Sequence, residues 1–266
     1  MIELVVSDLD GTLWDLDHSL HPRTRDAVAE LERRGIPLLI ATGRRLQRTK
    51  GPLAAFGLAP PAILLNGAIG IDLATAERFH SAAIPAVDAA AVLAAFLAHG
   101  IEPVVYVDRP DLAAYVGSSP STFPDHLASF GADVGVDDLA RVVAEEGVFA
   151  FAVLGVEREP LAAIAGAIGT NGIAHLGPDR GYGGWTLTVA GPAMSKWLGV
   201  EAYCRVHDVD PGAVLAIGDG PNDLELLQGA CVSVAMADSD AGLLTVADHV
   251  VGAAVDGGWA DLLDLL

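Results

Sequence analysis

Two aspartates one residue apart, set at the end of an apolar run, constrain this chain more than any other stretch: Leu4-Val-Val-Ser-Asp8-Leu-Asp10-Gly-Thr12. The run Leu4-Val5-Val6 reads as a parallel strand buried on both faces. On an extended chain, residues two apart point to the same side, so Asp8 and Asp10 present their carboxylates together. Such a pair is stable only where a cation or a shared proton offsets the repulsion. The C-terminal end of a strand in an open α/β sheet is also where these folds bind ligands. In isolation, an Asp-x-Asp-Gly is equally well explained as a turn cap. The rest of the chain decides between the two.

Strand-like and helix-like segments alternate from there. Pro22 to Arg34 has helical periodicity and stops at Gly35. Pro37 to Ala41 is an apolar strand closing on Thr42-Gly43-Arg44, and Arg45 to Phe56 is helical. Ala62 to Leu65 is a third apolar strand, ending at Asn66-Gly67. Three strands that each finish on polar residues and glycine, with helical crossovers between them, make a doubly wound parallel sheet with three loops at one edge. The pattern resumes with a helix over Ser195 to His207, which carries Lys196. A buried strand then covers Ala213 to Ile217 and runs into Gly218-Asp219-Gly220-Pro221-Asn222-Asp223. Pro221 suits the first turn of the helix that follows. Val232 to Ala235 and His249 to Val251 are two more strands, each expected to be followed by a helix.

The middle of the chain has a different character. Strands are expected over Glu77 to Ile84, Pro103 to Val107, Val148 to Val156 and Trp185 to Val189, with helices over Val87 to His99 and Leu161 to Ile168. Arg109 to Val136 is rich in Pro, Ser, Asp and Gly and yields no assignable element. The expected fold class is therefore α/β. A doubly wound, Rossmann-like parallel-sheet core is built from residues 1–74 and 191–266, and an α+β unit is inserted over 75–190.

Composition limits the partners. Thirty-five acidic residues against 15 Lys and Arg give a formal charge of −20, which argues against nucleic acid. The same charge repels anionic substrates at long range, so a phosphate site here needs local cations. No run reaches the about 18 to 20 apolar residues of a membrane span. No basic segment followed by an apolar core opens the chain, so a cytoplasmic, leaderless protein is expected. Cys204 and Cys231 are too few for a zinc site or a disulfide framework.

Asp8/Asp10, Thr42, Lys196 and Asp219/Asn222/Asp223 thus converge on one sheet edge, and their chemical types suit phosphoryl transfer. A carboxylate can act as nucleophile and carry the phosphoryl group, while a neighbouring acid protonates the leaving oxygen and later activates water. A hydroxyl and an ammonium can hold the phosphate oxygens. A carboxylate cluster without His or Cys is a hard-oxygen site that favours Mg2+.

With these residues in place, the chain resembles the haloacid dehalogenase superfamily, and most closely its Cof-type sugar-phosphatase branch with a large α/β cap. Asp8-Leu-Asp10-Gly-Thr12, Ala41-Thr-Gly-Arg44, the lysine of Met194-Ser-Lys196-Trp197 and Gly218-Asp-Gly-Pro-Asn-Asp223 match its four motifs in order and spacing. The inserted unit sits where that branch carries its cap. The resemblance implies that Asp8 is the nucleophile and a metal ligand, and that Asp10 is the general acid/base with its backbone carbonyl on the metal. It implies that Thr42 and Lys196 bind the transferring phosphoryl group, with Gly43 in the same motif. Asp219 would be a third ligand, and Asp223 would order the metal's waters and Lys196. Asn66 and Asn222 would add phosphate or substrate contacts. The implied activity is Mg2+-dependent hydrolysis of a small organic phosphate monoester, a sugar phosphate or phosphoglycerate-type ester, by a monomer or homodimer. The acid two residues after the nucleophile marks phosphatases of the superfamily rather than its dehalogenases. One departure is Val234-Ala-Met-Ala237-Asp238-Ser where the branch usually reads V-A-M-G-N-A, which puts an acid in place of an amide where a substrate contact is usually made, away from the chemical step.

Two alternatives share these residue types: a phosphotransferase or mutase using the same site, and a receiver-type phospho-acceptor module. The acid at Asp10 and the inserted unit count against the second. Outside the motifs, Arg44 and Arg45 either face the phosphate or cap a helix, and Thr42 alone would be read as a helix cap. His18 and His21 are expected at the surface, and the other histidines show no ligand spacing. Arg180, Tyr182 and Trp185 either read a leaving group or simply form a loop and a strand.

Overall fold

The computed structural model describes residues 1–15, 17–109, 111–179 and 181–266. The chain separates into two compact units, Met1–Ser81 with Ser195–Leu266, and Ala82–Met194. In chain order the first unit begins with β1 (Leu4–Ser7), α1 (Pro22–Arg34), β2 (Leu38–Ala41), α2 (Leu46–Ala55), β3 (Pro61–Leu64), β4 (Ile69–Asp72) and β5 (Arg78–Ser81). The second holds α3 (Ala86–Ala98), β6 (Val104–Val107), β7 (Ala114–Val116), α4 (Pro124–Ala128), β8 (Val134–Val136), α5 (Leu139–Glu145), β9 (Val148–Val156), α6 (Arg158–Ile168), β10 (Ile173–Pro178) and β11 (Trp185–Ala190). The first unit then resumes with α7 (Lys196–His207), β12 (Val214–Gly218), α8 (Leu224–Gly229), β13 (Val232–Met236), α9 (Ala241–Val246) and β14 (His249–Val251).

The first unit is built on a sheet ordered β14-β13-β12-β1-β2-β3-β4-β5. Its strands are parallel from β14 through β3, while the β3–β4 and β4–β5 pairs are antiparallel. A helical crossover between parallel strands needs a dozen or more residues. Only residues 65–68 separate β3 from β4, so the chain turns back instead. β5, which follows the change in sequence character, pairs with β4 and so belongs to this sheet.

β1 lies between β12 and β2, at the point where the strand order reverses. All four of its residues are buried. Val5 packs into a cluster with Trp14, Leu31 and Trp259 on one face of the sheet, while Leu4 and Val6 pack with Val200, Tyr203 and Leu226 on the other. The unbroken apolar run follows from having both faces covered. After β14 the chain forms 3-10 turns over Ala254–Asp256 and Gly258–Leu265 rather than the expected α-helix.

The second unit carries a sheet ordered β10-β11-β9-β6-β7-β8, antiparallel except for the β7–β8 pair. Helices α3, α5 and α6 supply apolar residues to its core, among them Phe96, Val143 and Ile164. His126 is buried here as a core residue, with Thr122 Oγ1 3.0 Å from Nδ1 and the Tyr106 hydroxyl 3.3 Å from Nε2. Tyr182 lies in the turn before β11 and stacks on Phe123, and Trp185 opens β11 with Arg158 over its ring. Arg180 lies outside the described residues. Among the described residues no helix is long and apolar enough to cross a membrane.

Candidate active site

Asp8 follows β1 directly, and its amide donates to Ile217 O of β12 at 3.0 Å, continuing the parallel register beyond the strand. The next turn is tight: Thr12 N and Trp14 N both donate to Leu9 O, at 3.2 and 3.1 Å. Thr12 Oγ1 donates to Asp219 Oδ1 at 3.0 Å, joining the turn after β1 to the one after β12. Gly11 closes against the same carboxylate, with φ at +82°.

The turn after β12 is organised by Asp223. Its Oδ2 accepts from Asp219 N at 3.2 Å and Gly220 N at 3.0 Å, capping the start of the next helical turn. Its Oδ1 accepts from Lys196 Nζ at 2.6 Å, and the same ammonium lies 2.6 Å from Asp8 Oδ1. Lys196 is the first residue of α7, whose N-cap is Ser195, with Oγ accepting from Leu198 N at 3.2 Å. Residues 67 and 195 press together so closely that a Cβ at Gly67, where φ is +114°, would overlap the Ser195 carbonyl. This contact brings the turn after β3 beside the lysine.

Leu65 and Asn66 both take left-handed backbone conformations in that turn, with φ of 50° and 55°. Asn66 N donates to Thr42 O at 3.1 Å, and Asn66 Oδ1 accepts from Asn222 Nδ2 at 3.0 Å. Gly43 is next to the same amide, since a Cβ on it would lie 3.1 Å from Asn66 Oδ1. Thr42 is buried, and its Oγ1 accepts from Arg44 N at 3.2 Å. It therefore closes its own turn, while the N-cap position of α2 falls to Arg45. Asp8, Asp10, Thr42, Gly43, Asn66, Asp219, Asn222 and Asp223 thus lie in the turns at one edge of the first unit's sheet, with Lys196 brought beside them at the start of α7.

Oxygens of Asp8, Asp219 and Asp223 lie within 4.8 Å of one another, close enough to share one cation. Burial pushes the Asp8 carboxyl well above the usual carboxylate range, Lys196 pulls against this, and Asp223, Asp219 and Asp10 add to the rise. Burial also opposes the charge on Lys196, but Asp223 and Asp8 outweigh it and raise the ammonium above its ordinary value. One lysine therefore faces more negative charge than it balances. An all-oxygen donor set of this kind suits a hard divalent cation such as Mg2+.

Further contacts surround the motif positions. Asp10 turns its carboxylate to Arg44, whose Nε and Nη2 lie 2.6 and 2.5 Å from its two oxygens, and to Trp14 Nε1 at 3.0 Å. Arg44 thus faces the acid instead of capping α2. His18, expected at the surface, is half-buried with its Nε2 2.5 Å from Arg44 Nη2. His21 is the N-cap residue of α1, its Nδ1 accepting from Arg23 N at 3.2 Å. From the far end of the chain, Trp259 Nε1 donates to Ser7 Oγ at 2.9 Å, which in turn donates to Asp8 O at 2.7 Å. Arg44 was within reach of sequence reasoning through its place in the second motif. Nothing in sequence spacing pairs Trp259 with Ser7. Ala237 and Asp238 are exposed in the turn after β13, and Asp240 N there donates to Asp219 O at 2.9 Å.

Residues 5–147 and 175–263 match the family of haloacid dehalogenase-like hydrolases. The chain is 26% identical over 263 residues to a phosphoglycolate phosphatase of Methanopyrus kandleri, covering 99% of this chain and 96% of that protein. It is 24% identical over 265 residues to the pyridoxal phosphate phosphatase YbhA of Escherichia coli, covering 94% and 93%. A haloacid dehalogenase-like hydrolase from B. subtilis has the same fold, with a TM-score of 0.82 at 17% identity and complete coverage of both chains.

Proposed function

This chain belongs to the family of haloacid dehalogenase-like hydrolases, and from that premise we propose that it is a Mg2+-dependent phosphatase of small organic phosphate monoesters. The observation that carries the proposal is Lys196 Nζ, placed 2.6 Å from both Asp8 and Asp223 inside a group of three carboxylates, with a further acid at Asp10. A nucleophile, an acid/base and a phosphate-holding cation are the parts that phosphoryl transfer needs, since catalysis is mostly positioning and charge stabilisation.

In the first half-reaction, an Asp8 carboxylate oxygen attacks phosphorus, the bond to the ester oxygen breaks, and Asp10 gives that oxygen a proton. In the second, water attacks phosphorus while Asp10 takes its proton, and the bond to Asp8 breaks to release inorganic phosphate. Lys196 and the Thr42 hydroxyl hold the phosphoryl oxygens, with Asn66 and Asn222 beside them. Asp8, Asp219 and Asp223, with the Asp10 carbonyl, would hold Mg2+, which supplies charge neutralisation between the nucleophile and the phosphate. Sugar phosphates and phosphoglycerate-type esters are the expected substrates. The named relatives support the class, since phosphoglycolate and pyridoxal phosphate are both small phosphate monoesters.

Phosphate release from a panel of such esters with Mg2+, comparing wild type with Asp8→Asn, tests the proposal. Turnover in the wild type that is lost in Asp8→Asn is the expected result. Equal turnover in the two would overturn Asp8 as the nucleophile.

A further inference from the structure

Asp10 is held from two sides. Its Oδ1 accepts from Trp14 Nε1 at 3.0 Å and from Arg44 Nη2 at 2.5 Å, and its Oδ2 accepts from Arg44 Nε at 2.6 Å. The guanidinium therefore grips the carboxylate through two nitrogens, the pairing with the strongest directional preference among side-chain ion pairs. Arg44 is fixed in turn. Its Nη1 donates to Arg48 O at 3.0 Å, and its guanidinium carbon sits 5.3 Å from the centre of the Trp14 ring. Trp14 is buried, and its backbone oxygen accepts from Gly11 N at 2.9 Å, which anchors the indole to the Asp8–Asp10 turn itself.

The three side chains form a closed triangle. The indole gives Asp10 a hydrogen bond through its N–H and gives Arg44 a surface through its π face. The rigid, planar Arg fork then leaves the carboxylate one orientation. Were Arg44 there to bind phosphate, its Nε edge would be free to face the nucleophile. Instead that edge is committed to the acid.

We propose that Trp14 and Arg44 clamp Asp10, so that both are positioning residues for the proton transfers to the leaving oxygen and from water. This rests on Asp10 being the acid/base of the proposed phosphatase. Displacement of a reacting group by about 1 Å can cost on the order of a hundredfold in rate, so the clamp has kinetic consequences without touching substrate.

Leaving-group dependence tests the clamp. p-Nitrophenyl phosphate expels an anion that needs no proton, whereas phenyl phosphate and glycerol phosphate expel groups that do. The parameter is kcat/KM, which reports phosphoryl transfer to Asp8 before the water step. Asp10→Asn should lose on the order of a hundredfold or more on the proton-requiring esters relative to the nitrophenyl ester. Arg44→Gln and Trp14→Phe should shift the same ratio in the same direction by on the order of tenfold. Trp14→Phe keeps the ring and removes only the N–H donor, so it tests the hydrogen bond without emptying the core. Added guanidinium should restore part of the ratio to Arg44→Ala. If Asp10→Asn shifts the ratio but Arg44→Gln lowers all esters equally, Arg44 binds phosphate and the clamp is overturned. If Asp10→Asn itself lowers all esters equally, the assignment of Asp10 as the acid fails, and the inference fails with it.

Discussion

Lys196 Nζ lies 2.6 Å from Asp8 Oδ1 with the lysine side chain 0% and the aspartate side chain 9% exposed. An ion pair so placed is costly to break, because the surviving charge stays buried without a partner. Here two carboxylates share the ammonium, so Lys196→Met strands both. The expected loss is about 3–5 kcal/mol in urea unfolding with chelator present. A loss below about 1 kcal/mol would mean that water reaches the pair and screens it as it would a surface bridge.

Because Asp8, Asp219 and Asp223 crowd together around a single lysine, a divalent cation should stabilise the folded chain before any substrate is added. Mg2+ at a hundredfold excess over its dissociation constant is expected to contribute about 2.7 kcal/mol, seen as a rise in Tm. Chelator should reverse the rise and abolish turnover. Asp219→Asn should show a much smaller rise. An equal rise in the variant would place the bound ion elsewhere.

Ser7 links the C-terminal segment to Asp8. Its hydroxyl accepts from Trp259 Nε1 and donates to Asp8 O, and both residues are buried. Ser7→Ala leaves the indole N–H without an acceptor, which costs about 1–3 kcal/mol. Ser7→Thr keeps the hydroxyl and should recover most of the loss in thermal denaturation. If Ser7→Ala melts like wild type, the indole has found another partner.

The order of the core was legible because β1, β2, β3 and β12 are short apolar runs that end on polar residues and glycine. Their ends carry the motif residues, and the sheet assembles those residues by topology alone. What escaped was set by pairing rather than by pattern. β4, Ile69-Gly-Ile-Asp72, is too short and too mixed to show a period, and β7 and β8 have three residues each. β10, Ile173–Pro178, is half-buried and contains both glycine and proline. The partners of the acid escaped for another reason. An indole four residues after Asp10 and an arginine 34 residues after it meet only once the turn has folded.

Gly11 reports on how tightly the first and fourth motif turns are packed. Its φ is +82°, and a Cβ there would lie 2.6 Å from Asp219 Oδ2. Gly11→Ala should cost about 1–2 kcal/mol for the left-handed backbone alone. If Asp219 holds Mg2+ as proposed, the added methyl displaces its carboxylate, and the Mg2+ concentration for half-maximal activity should rise as well. Lowered stability with unchanged Mg2+ dependence would show that Asp219 moves aside without consequence.

His80 gives the fold a pH dependence away from the phosphate chemistry. Its Nε2 is buried and has no hydrogen-bond partner among the described residues. Burial lowers its pKa from the ordinary 6.5, a bond to the Gly67 backbone opposes the shift, and Arg205 adds to it. Below 6.5 the unfolded chain therefore takes up a proton that the folded chain resists. Stability from this group is present in full above pH 6.5 and is lost as pH falls from there through the folded value. His18, lowered by burial and by Arg44, acts with the same sign. Urea midpoints measured between pH 8 and pH 5 should fall less steeply for His80→Gln than for wild type. Parallel curves would mean that the ring turns to water when it is protonated, and that His80 sets no part of the acid limit.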